Sequence, residues 1–318
     1  MKTQTAEACS NIALIKYWGK ADLARNLPAV PSLSLTLAGL TTRTTVTPLT
    51  DAAQDEVLLQ GLPATGKPLA RVTALLDELR QRAGVRVPLR VTSHNDFPTA
   101  AGLASSASGF AALAVAAAGA LELDLSREAL SAVARQASAS AARSLFGGFA
   151  VLPAGAEHAH QLAPEDHWAV AMLVAVVSEA PKAVGSTAGM LHVARTSPYY
   201  PAWLTKSPEW FAQALTALEK RELPALGEAM ECSTLAMHAT MHTANPPILY
   251  WLPATLAVLS AVRELRQAGT PAWFTMDAGP HVKVLTTAAQ APSLAQRLAA
   301  VPGVVRVIDC RPGPGARL

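Results

Sequence analysis

The sequence contains little cysteine and few charged residues. Three cysteines occur in 318 residues, Cys9, Cys232 and Cys310, and they are widely spaced with no CxxC pair. This spacing excludes a disulfide framework and is typical of a protein from a reducing compartment. Charged residues make up 15% of the chain, and no run of lysine or arginine indicates a nucleic-acid surface.

Long apolar runs are missing as well. The most apolar segments, residues 110–123 and 168–177, are too short to span a bilayer. The opening segment, MKTQTAEACS, lacks the apolar stretch of a signal peptide. We therefore expect a cytoplasmic protein with neither a membrane nor a nucleic acid as its partner. The net charge of +3 fits a few cations gathered in a cleft for an anionic small molecule.

The apolar content of 51% is that of a globular protein, and 318 residues usually divide into two lobes. Residue patterns predict strands at 29–47, 87–92, 146–152 and 168–177, and helices at 71–82, up to about 121, and after Ser126 as N-cap. From residue 182 the pattern is mainly helical, at 182–194, 208–220, 222–242 and 251–268. Two strands around DAGP, a helix at 290–300 and a strand at 303–309 follow. The chain is predicted to be an α+β protein of two packed lobes with a boundary near residue 180.

The segment PTAAGLASSASG, residues 98–109, joins a predicted strand to a predicted helix. Its small residues allow backbone N–H groups to approach an anion, and the helix N-terminus adds positive potential. The P-loop pattern GxxxxGK[ST] and the dinucleotide pattern GxGxxG are both absent from the sequence. Taken alone, the segment is explained equally well as a phosphate-binding loop or as a helix start built from small residues.

Four motifs together resemble a known family. PTAAGLASSAS resembles the phosphate-binding motif of the GHMP kinases. With NIALIKYWGK (11–20), SASAAR (138–143) and FTMDAGP (274–280), the sequence resembles the mevalonate diphosphate decarboxylases of that superfamily over essentially the whole chain. The resemblance implies a GHMP kinase-like two-lobed fold with a cleft between the lobes. It implies an ATP-binding lobe over residues 1–180, a second lobe over 181–318, and a homodimer.

The resemblance also implies a reaction, the ATP-dependent decarboxylation of (R)-5-diphosphomevalonate to isopentenyl diphosphate in the mevalonate pathway of isoprenoid biosynthesis. ATP would phosphorylate the tertiary 3-hydroxyl, and loss of that phosphate and of carbon dioxide would follow. Mg²⁺ is expected to arrive with ATP. No metal site built by the protein is expected, since His238 and His242 lack the glutamate of HExxH and a third ligand.

The resemblance assigns roles to individual residues. The catalytic residues would be Asp277, Lys16 and Arg143. The substrate contacts would be Tyr17, Trp18, Gly19, Lys20, Arg71, Ser138, Ser140, Arg143 and Thr187. The ATP contacts would be Ala101, Gly102, Leu103, Ala104, Ser105, Ser106 and Ser108. Simpler explanations exist for some of them, since an aspartate before Ala-Gly-Pro also suits a turn, and a tryptophan beside an apolar strand also suits a core.

Three departures from the family pattern, at four positions, stand out. Ala137 and Ala139 stand where glycines are common, so a left-handed backbone there would be strained. His281 follows DAGP where asparagine is common, and Thr187 stands where many bacterial members carry arginine. Alternatives therefore stay open: a 5-phosphomevalonate decarboxylase or a mevalonate 3-kinase of the same family, and a non-catalytic GHMP-like ligand sensor.

Overall fold

The computed structural model describes residues 1–97, 105–180 and 182–318. Within these ranges the strands are β1 (Gln4–Ile15), β2 (Lys20–Asp22), β3 (Leu27–Pro28), β4 (Ser32–Pro48), β5 (Glu56–Leu59), β6 (Leu62–Pro63), β7 (Leu89–Asn95), β8 (Phe149–Leu152), β9 (His160–Ala163), β10 (Val170–Val176), β11 (Trp273–Met276), β12 (Val282–Thr287) and β13 (Arg306–Pro312). The helices are α1 (Gly66–Ala83), α2 (Ser105–Ala120), α3 (Arg127–Ala137), α4 (Ala141–Ser144), α5 (Ser186–Thr196), α6 (Tyr200–Lys220), α7 (Leu223–His242), α8 (Pro253–Gln267) and α9 (Ala291–Ala299). The predicted α+β class is confirmed.

The long strand β4 organises the main sheet. Its 17 residues pair with β1, β7, β8 and β13, and every one of these pairings is antiparallel. The C-terminal strand β13 also pairs with β10, which continues through β12 to β11. One described sheet therefore runs through the segments on both sides of residue 180. The division into lobes at 1–180 and 181–318 stays a prediction.

The alanine-rich helix α2 packs against β1 and β4. Most of its residues are buried, on all sides of the helix. Small side chains let the surrounding helices and strands approach closely, which explains why an apolar helix without a polar face is accommodated. Its N-terminus, at Ser105 and Ser106, is thereby held beside the end of α3. No described helix is long and apolar enough to cross a bilayer.

Several predicted bounds differ from the observed ones; α1 begins at Gly66 rather than residue 71, and α5 at Ser186 rather than residue 182. The predicted strand region 29–47 corresponds to the single strand β4, in which Gly39 at φ +89° lies where the register with β1 shifts, between Cys9 and Ser10. The prediction that a helix starts at residue 208 is wrong, because α6 begins at Tyr200 and Pro208 lies inside it. The predicted N-cap is confirmed, since the Ser126 hydroxyl accepts a hydrogen bond from the Ala129 N–H at 3.2 Å.

Three strand ends converge where the candidate site lies. β1 ends at Ile15, and the next backbone N–H, that of Lys16, donates to Ser233 Oγ of α7 at 3.0 Å. β11 ends at Met276, immediately before Asp277, and the Thr275 hydroxyl of β11 donates to the Ala13 carbonyl of β1 at 3.3 Å. These contacts fix the end of β1 against the turn between β11 and β12.

Helix α7 crosses this region through a close contact at Gly227. A Cβ added there would lie 2.1 Å from Cγ of the buried Trp273. We expect Gly227→Ala to lower the free energy of unfolding by about 1–3 kcal/mol, because the indole must move out of a packed core. Urea denaturation followed by tryptophan fluorescence measures this.

The matched control is Gly119→Ala, also within a helix, where the nearest atoms to the added Cβ would be Gln4 Cγ and the two Leu318 Cδ atoms, each at 3.3 Å. Helix propensity offsets that crowding, so we expect a change within about 1 kcal/mol. Equal stabilities for the two variants would contradict the close packing at Gly227.

Candidate active site

A cavity of about 740 Å³ opens at the converging strand ends. Residues from both halves of the chain line it, contributed by the end of β1, the start of α2, the loop between α3 and α4, the start of α5 and the turn after β11. Asp277 is the only acidic residue among the described residues of this lining, whereas Lys16, Lys20, Lys67, Arg71, Arg143 and Lys182 supply positive charge. This imbalance is that of a site for anions.

Asp277 lies between two buried lysines. Lys16 Nζ donates to its Oδ1 at 2.9 Å, and Lys283 Nζ lies 3.0 Å from its Oδ2. Both lysine side chains are 1% exposed, whereas that of Asp277 is 26% exposed. Burial alone would raise the pKa of Asp277, but the two lysines outweigh burial and hold the pKa well below its usual range. The carboxylate is therefore ionised at any working pH.

Lys16 also donates from Nζ to the Ala13 carbonyl at 2.7 Å. Burial is the main cause that lowers the pKa of Lys16 to about 8, and nearby Lys283 adds to it while Asp277 opposes it. At neutral pH this lysine is a cation, but one that needs little free energy to lose its proton. A group of this kind can hold a phosphate, a carboxylate or a proton in transit.

Arg143, on the short helix α4, is anchored from two strands. Its Nε donates to Asn11 Oδ1 of β1 at 3.2 Å, and its Nη1 donates to Ser32 Oγ of β4 at 2.8 Å. Asn11 in turn donates from Nδ2 to the Ser140 carbonyl at 2.9 Å and to Ser144 Oγ at 2.8 Å. Burial lowers the pKa of Arg143 to about 10, so it remains a cation at neutral pH. Its side chain is 2% exposed and has few alternative positions.

Serine hydroxyls form a row across the cavity wall. Ser106 Oγ, at the start of α2, lies 3.5 Å from Ser138 Oγ, and Ser138 Oγ lies 3.2 Å from Ser140 Oγ. Ser105 also lines the cavity. These neutral donors lie beside a helix N-terminus, an arrangement that suits phosphate oxygens.

A second group of cations, Lys20, Lys67 and Arg71, also lines the cavity; these outer cations are less buried than the cations around Asp277. Arg71 of α1 donates from Nε at 3.0 Å and from Nη2 at 2.5 Å to the Ala137 carbonyl, and its guanidinium lies 4.4 Å from the centre of the Phe110 ring. Burial lowers the pKa of Lys20, and the charges of Arg71 and Lys67 lower it further. Three cations that repel one another favour an anionic ligand between them.

The structure brings most of the predicted site residues to this cavity. Those that line it are Lys16, Tyr17, Trp18, Lys20, Arg71, Ser105, Ser106, Ser138, Ser140, Arg143, Thr187 and Asp277. Gly19 and Ser108 are not among the lining residues, since the Tyr200 hydroxyl packs against Gly19 and Ser108 Oγ lies 2.6 Å from Thr42 Oγ in the interior. The predicted contacts at Ala101, Gly102, Leu103 and Ala104 lie outside the described residues.

Trp18 and the departures at Ala137, Ala139 and His281 have structural explanations. Trp18 is 1% exposed and its carbonyl accepts from Trp203 Nε1 at 2.8 Å, so core packing is a large part of its role. Neither Ala137 nor Ala139 has a positive φ, so the strain expected of a left-handed backbone does not arise. His281 is buried, and its Nδ1 accepts from the Val177 N–H at the end of β10, at 3.3 Å.

Sequence reasoning missed three polar residues of this region. Lys283 is a lysine within the apolar strand VKVL, and a charged residue there is a signal of a buried ion pair. Asn11 belongs to the motif NIALIKYWGK but is singled out only by its contacts to Arg143 and to Ser140. Lys182 donates to Ser186 Oγ at 2.8 Å and to the Ala278 carbonyl at 3.1 Å, and no residue pattern distinguishes it in the sequence.

Another groove, of about 840 Å³, lies between α1 and the segments at residues 53–55 and 84–88. Its buried arginine, Arg80, forms ion pairs with Asp55 and Asp77. The charges there compensate one another within the protein. The 740 Å³ cavity, with its excess of cations, is therefore the better candidate for an active site.

The chain is similar to known proteins over most of its length. Residues 8–163 match the family model of the diphosphomevalonate decarboxylase-like N-terminal domain, and residues 172–309 match that of the mevalonate 5-diphosphate decarboxylase C-terminal domain. The diphosphomevalonate decarboxylase of Aspergillus fumigatus is 37% identical over 88% of this chain and 76% of its own. The phosphomevalonate decarboxylase of Haloferax volcanii is 34% identical over 89% and 88%. A solved complex with MVAPP, AMPPCP and magnesium has a TM-score of 0.92 and 40% identity, over 99% and 98% of the two chains.

The two lysines around Asp277 make its charge important for folding. We expect Asp277→Asn to lower the free energy of unfolding at pH 7 by about 3 kcal/mol, because two buried cations then lack their counter-charge. This loss of stability should be smaller at pH 9. Without the carboxylate, the lysine pKa values in the native variant are depressed, so its native state binds fewer protons than its unfolded state. The stability of the variant therefore rises with pH. Urea denaturation at both pH values measures this.

The control is Asp77→Asn, whose partner Arg80 keeps a second carboxylate and whose own side chain is 63% exposed. We expect a change within about 0.5 kcal/mol at either pH. A loss for Asp277→Asn that is the same at pH 7 and pH 9 would show that the lysine charges are not its cause.

Proposed function

The chain belongs to the mevalonate diphosphate decarboxylase family, and from this we propose how its residues carry out the reaction. The reaction is the ATP-dependent decarboxylation of (R)-5-diphosphomevalonate to isopentenyl diphosphate, ADP, phosphate and CO₂. The observation that supports our assignment of residues is the cavity in which one ionised aspartate lies among several buried cations. We assign the catalytic roles to Asp277, Lys16 and Arg143.

Asp277 is assigned to the 3-hydroxyl of the substrate. Its Oδ1 lies on the side of the carboxylate that reaches the cavity, where it can accept a hydrogen bond from that hydroxyl and direct the oxygen toward the γ-phosphate of ATP. The low pKa of Asp277 makes it a weak proton acceptor, so orientation is its main contribution. Lys16, next to Oδ1, can stabilise negative charge that develops on the transferred phosphoryl group.

Arg143 is assigned to an anionic group of the substrate. Phosphorylation converts the tertiary hydroxyl into a leaving group, and its departure leaves positive charge at C3 that draws electrons from the carboxylate. Before the phosphate leaves, a fixed cation has to hold the substrate carboxylate in place by charge alone, so that its electrons remain available for the decarboxylation. The anchored guanidinium of Arg143 suits that task, because its planar fork matches a carboxylate or a phosphate.

ATP and Mg²⁺ are required for the reaction. Ser105 and Ser106 fit the nucleotide phosphates, since their hydroxyls lie at the N-terminus of α2 on the cavity wall. The lining holds no pair of described carboxylates that would bind Mg²⁺ without a nucleotide, so the ion is assigned to the ATP phosphates, whose charge it neutralises. We assign ATP binding to the N-terminal lobe, residues 1–180. We also propose that the active enzyme is a cytoplasmic homodimer.

The number of phosphates on the substrate separates the two candidate activities. We assign the 5-diphosphate to Tyr17, Lys20, Arg71, Ser138, Ser140 and Thr187. The neutral Thr187, at the exposed start of α5, weakens the case for a second phosphate, and the Haloferax volcanii relative acts on the monophosphate by its name. The outer cations Lys20, Lys67 and Arg71 outnumber what one phosphate needs, and they favour the diphosphate.

Lys16 should control the activity at alkaline pH. Its pKa of about 8 means that the lysine is charged below this pH and loses its proton above it. We expect kcat/KM for diphosphomevalonate to fall as pH rises through about 8, because a neutral amine stabilises phosphoryl charge poorly. Initial rates between pH 6.5 and 10 measure this, with unfolding monitored over the same range. Lys16→Gln should lack this alkaline limb, and a flat wild-type profile up to pH 9.5 would contradict the role of Lys16.

Substrate preference tests the assigned function directly. We compare kcat/KM for 5-diphosphomevalonate and 5-phosphomevalonate, and we measure both ADP and CO₂. The wild type should prefer the diphosphate, and Lys20→Ala should reduce this preference about tenfold or more, because a charged hydrogen bond contributes about 1.5–3 kcal/mol.

Lys206→Ala, on the exposed surface, should leave the preference unchanged. A wild type that uses the monophosphate as well as the diphosphate would favour the phosphomevalonate decarboxylase. ADP release without CO₂ would indicate a 3-kinase, and neither product would indicate a ligand sensor.

A further inference from the structure

Lys283 lies behind the carboxylate of Asp277, on the side away from the cavity. It belongs to β12, is 1% exposed, and is not among the cavity-lining residues, whereas Lys16 is. Its Nζ lies 3.0 Å from Oδ2, and Oδ2 itself is buried. The part of Asp277 that reaches the cavity is therefore the side that bears Oδ1. The two lysines thus contact different oxygens and have different access to a ligand.

A second lysine at this carboxylate is costly. One buried carboxylate balances one buried cation, and Arg143 adds a further positive charge nearby. Lys283 shares the single Asp277 carboxylate with Lys16, and burying an ammonium that is only partly compensated costs several kcal/mol. An apolar residue at this position of β12 would be less costly to bury. A group that is expensive to bury, and that lies outside the cavity, is best explained by its effect on Asp277.

We propose that Lys283 is a positioning residue, which fixes the rotation of the Asp277 carboxylate from behind and keeps it anionic when Lys16 turns to the transferred phosphoryl group. This rests on the proposed role of Asp277. Lys16 cannot serve both purposes at once, because a bound phosphate competes with Oδ1 for its hydrogen bonds. With Lys283 on Oδ2, the carboxylate keeps a counter-charge throughout, and Oδ1 stays directed at the 3-hydroxyl.

The surrounding charges make this role measurable. The titratable and charged groups around the Lys16–Asp277–Lys283 cluster are Arg143 of α4, Lys182 of the segment before α5, His238 of α7 and His281 of the turn before β12. Burial lowers the pKa of His238 to about 3, and its Nδ1 accepts from Trp251 Nε1 at 2.9 Å, so it is neutral. Arg143 stays charged. Lys283 is the cation behind Asp277 that lowers the pKa of Lys16, and its loss should raise that pKa.

The test is Lys283→Met, which keeps a similar volume without the charge. We expect kcat at pH 7 to fall about tenfold or more while KM for both substrates changes less than about threefold, because the orientation of the 3-hydroxyl is lost and the binding groups remain. The alkaline limb of kcat/KM should move to higher pH by about one unit, since Lys16 loses a repelling neighbour. Loss of the Lys283 charge alone would also move this limb, so the split between kcat and KM is the readout that distinguishes positioning from a purely structural role.

Two further variants keep the test decisive. Lys283→Gln also removes the charge but can donate to Oδ2, so we expect the same shift of the alkaline limb with a smaller loss of kcat. It decides the question if the methionine variant does not fold. Val284→Ala, at the next residue of β12 and in a different part of the core, should lower stability and leave the pH profile unchanged.

The possible results distinguish a failure of the Lys283 proposal from a failure of the assigned function. A folded Lys283→Met or Lys283→Gln with wild-type kcat would overturn the role of Lys283 alone, whether or not the alkaline limb moves. Asp277→Asn with wild-type turnover would instead overturn the assignment of Asp277, on which the inference rests. Loss of activity in Asp277→Asn, together with a lowered kcat at little-changed KM in the folded Lys283 variants, supports both.

Discussion

The ion pairs around Asp277 are the interaction on which the rest of the site depends. Three separate strands must end or turn at one place for Lys16, Asp277 and Lys283 to meet, and each contributes a charge that is costly to bury alone. β1 supplies Lys16 just after its last residue, β11 leads directly into Asp277, and β12 carries Lys283 back beside them. The sheet pairing that aligns these strands is thus also what balances their charges.

The second constraint is that a buried arginine must be held in one orientation. Arg143 belongs to a helix of only four residues, which has little stability of its own. Asn11 and Ser32 therefore supply its orientation from β1 and β4, and Asn11 also holds the Ser140 carbonyl. The sheet thus fixes the position of the segment around α4, which has little stability of its own. The Ser106–Ser138–Ser140 row then connects this loop with the start of α2.

Much of this arrangement could be predicted from the sequence, and the features that could not be predicted have physical explanations. Lys16, Arg143 and Asp277 lie in motifs whose residue types match the chemistry, so the resemblance selected them. Lys283 was missed because its partner is separated from it by a turn, and because a single lysine in an apolar strand says nothing about which carboxylate it meets. The start of α6 was misplaced because Pro208 is typical of a first helical turn but here lies inside the helix. The continuous sheet across residue 180 depends on the pairing of β13 with β4, which local patterns do not reveal.

The excess of positive charge also has a consequence for binding. The described lining holds one carboxylate against several cations. Burial is the main cause that lowers the pKa values of Lys16, Lys20 and Lys182, and repulsion from neighbouring cations lowers them further. An anionic ligand relieves this repulsion, and its binding free energy therefore includes the restored protonation of these lysines. A diphosphate at the outer cations leaves Lys16 and Asp277 for the reacting end of the molecule. Because the outer cations and the Lys16–Asp277 pair are different residues of one cavity lining, substrate affinity and transition-state stabilisation can be supplied separately, which is the condition for binding energy to raise kcat.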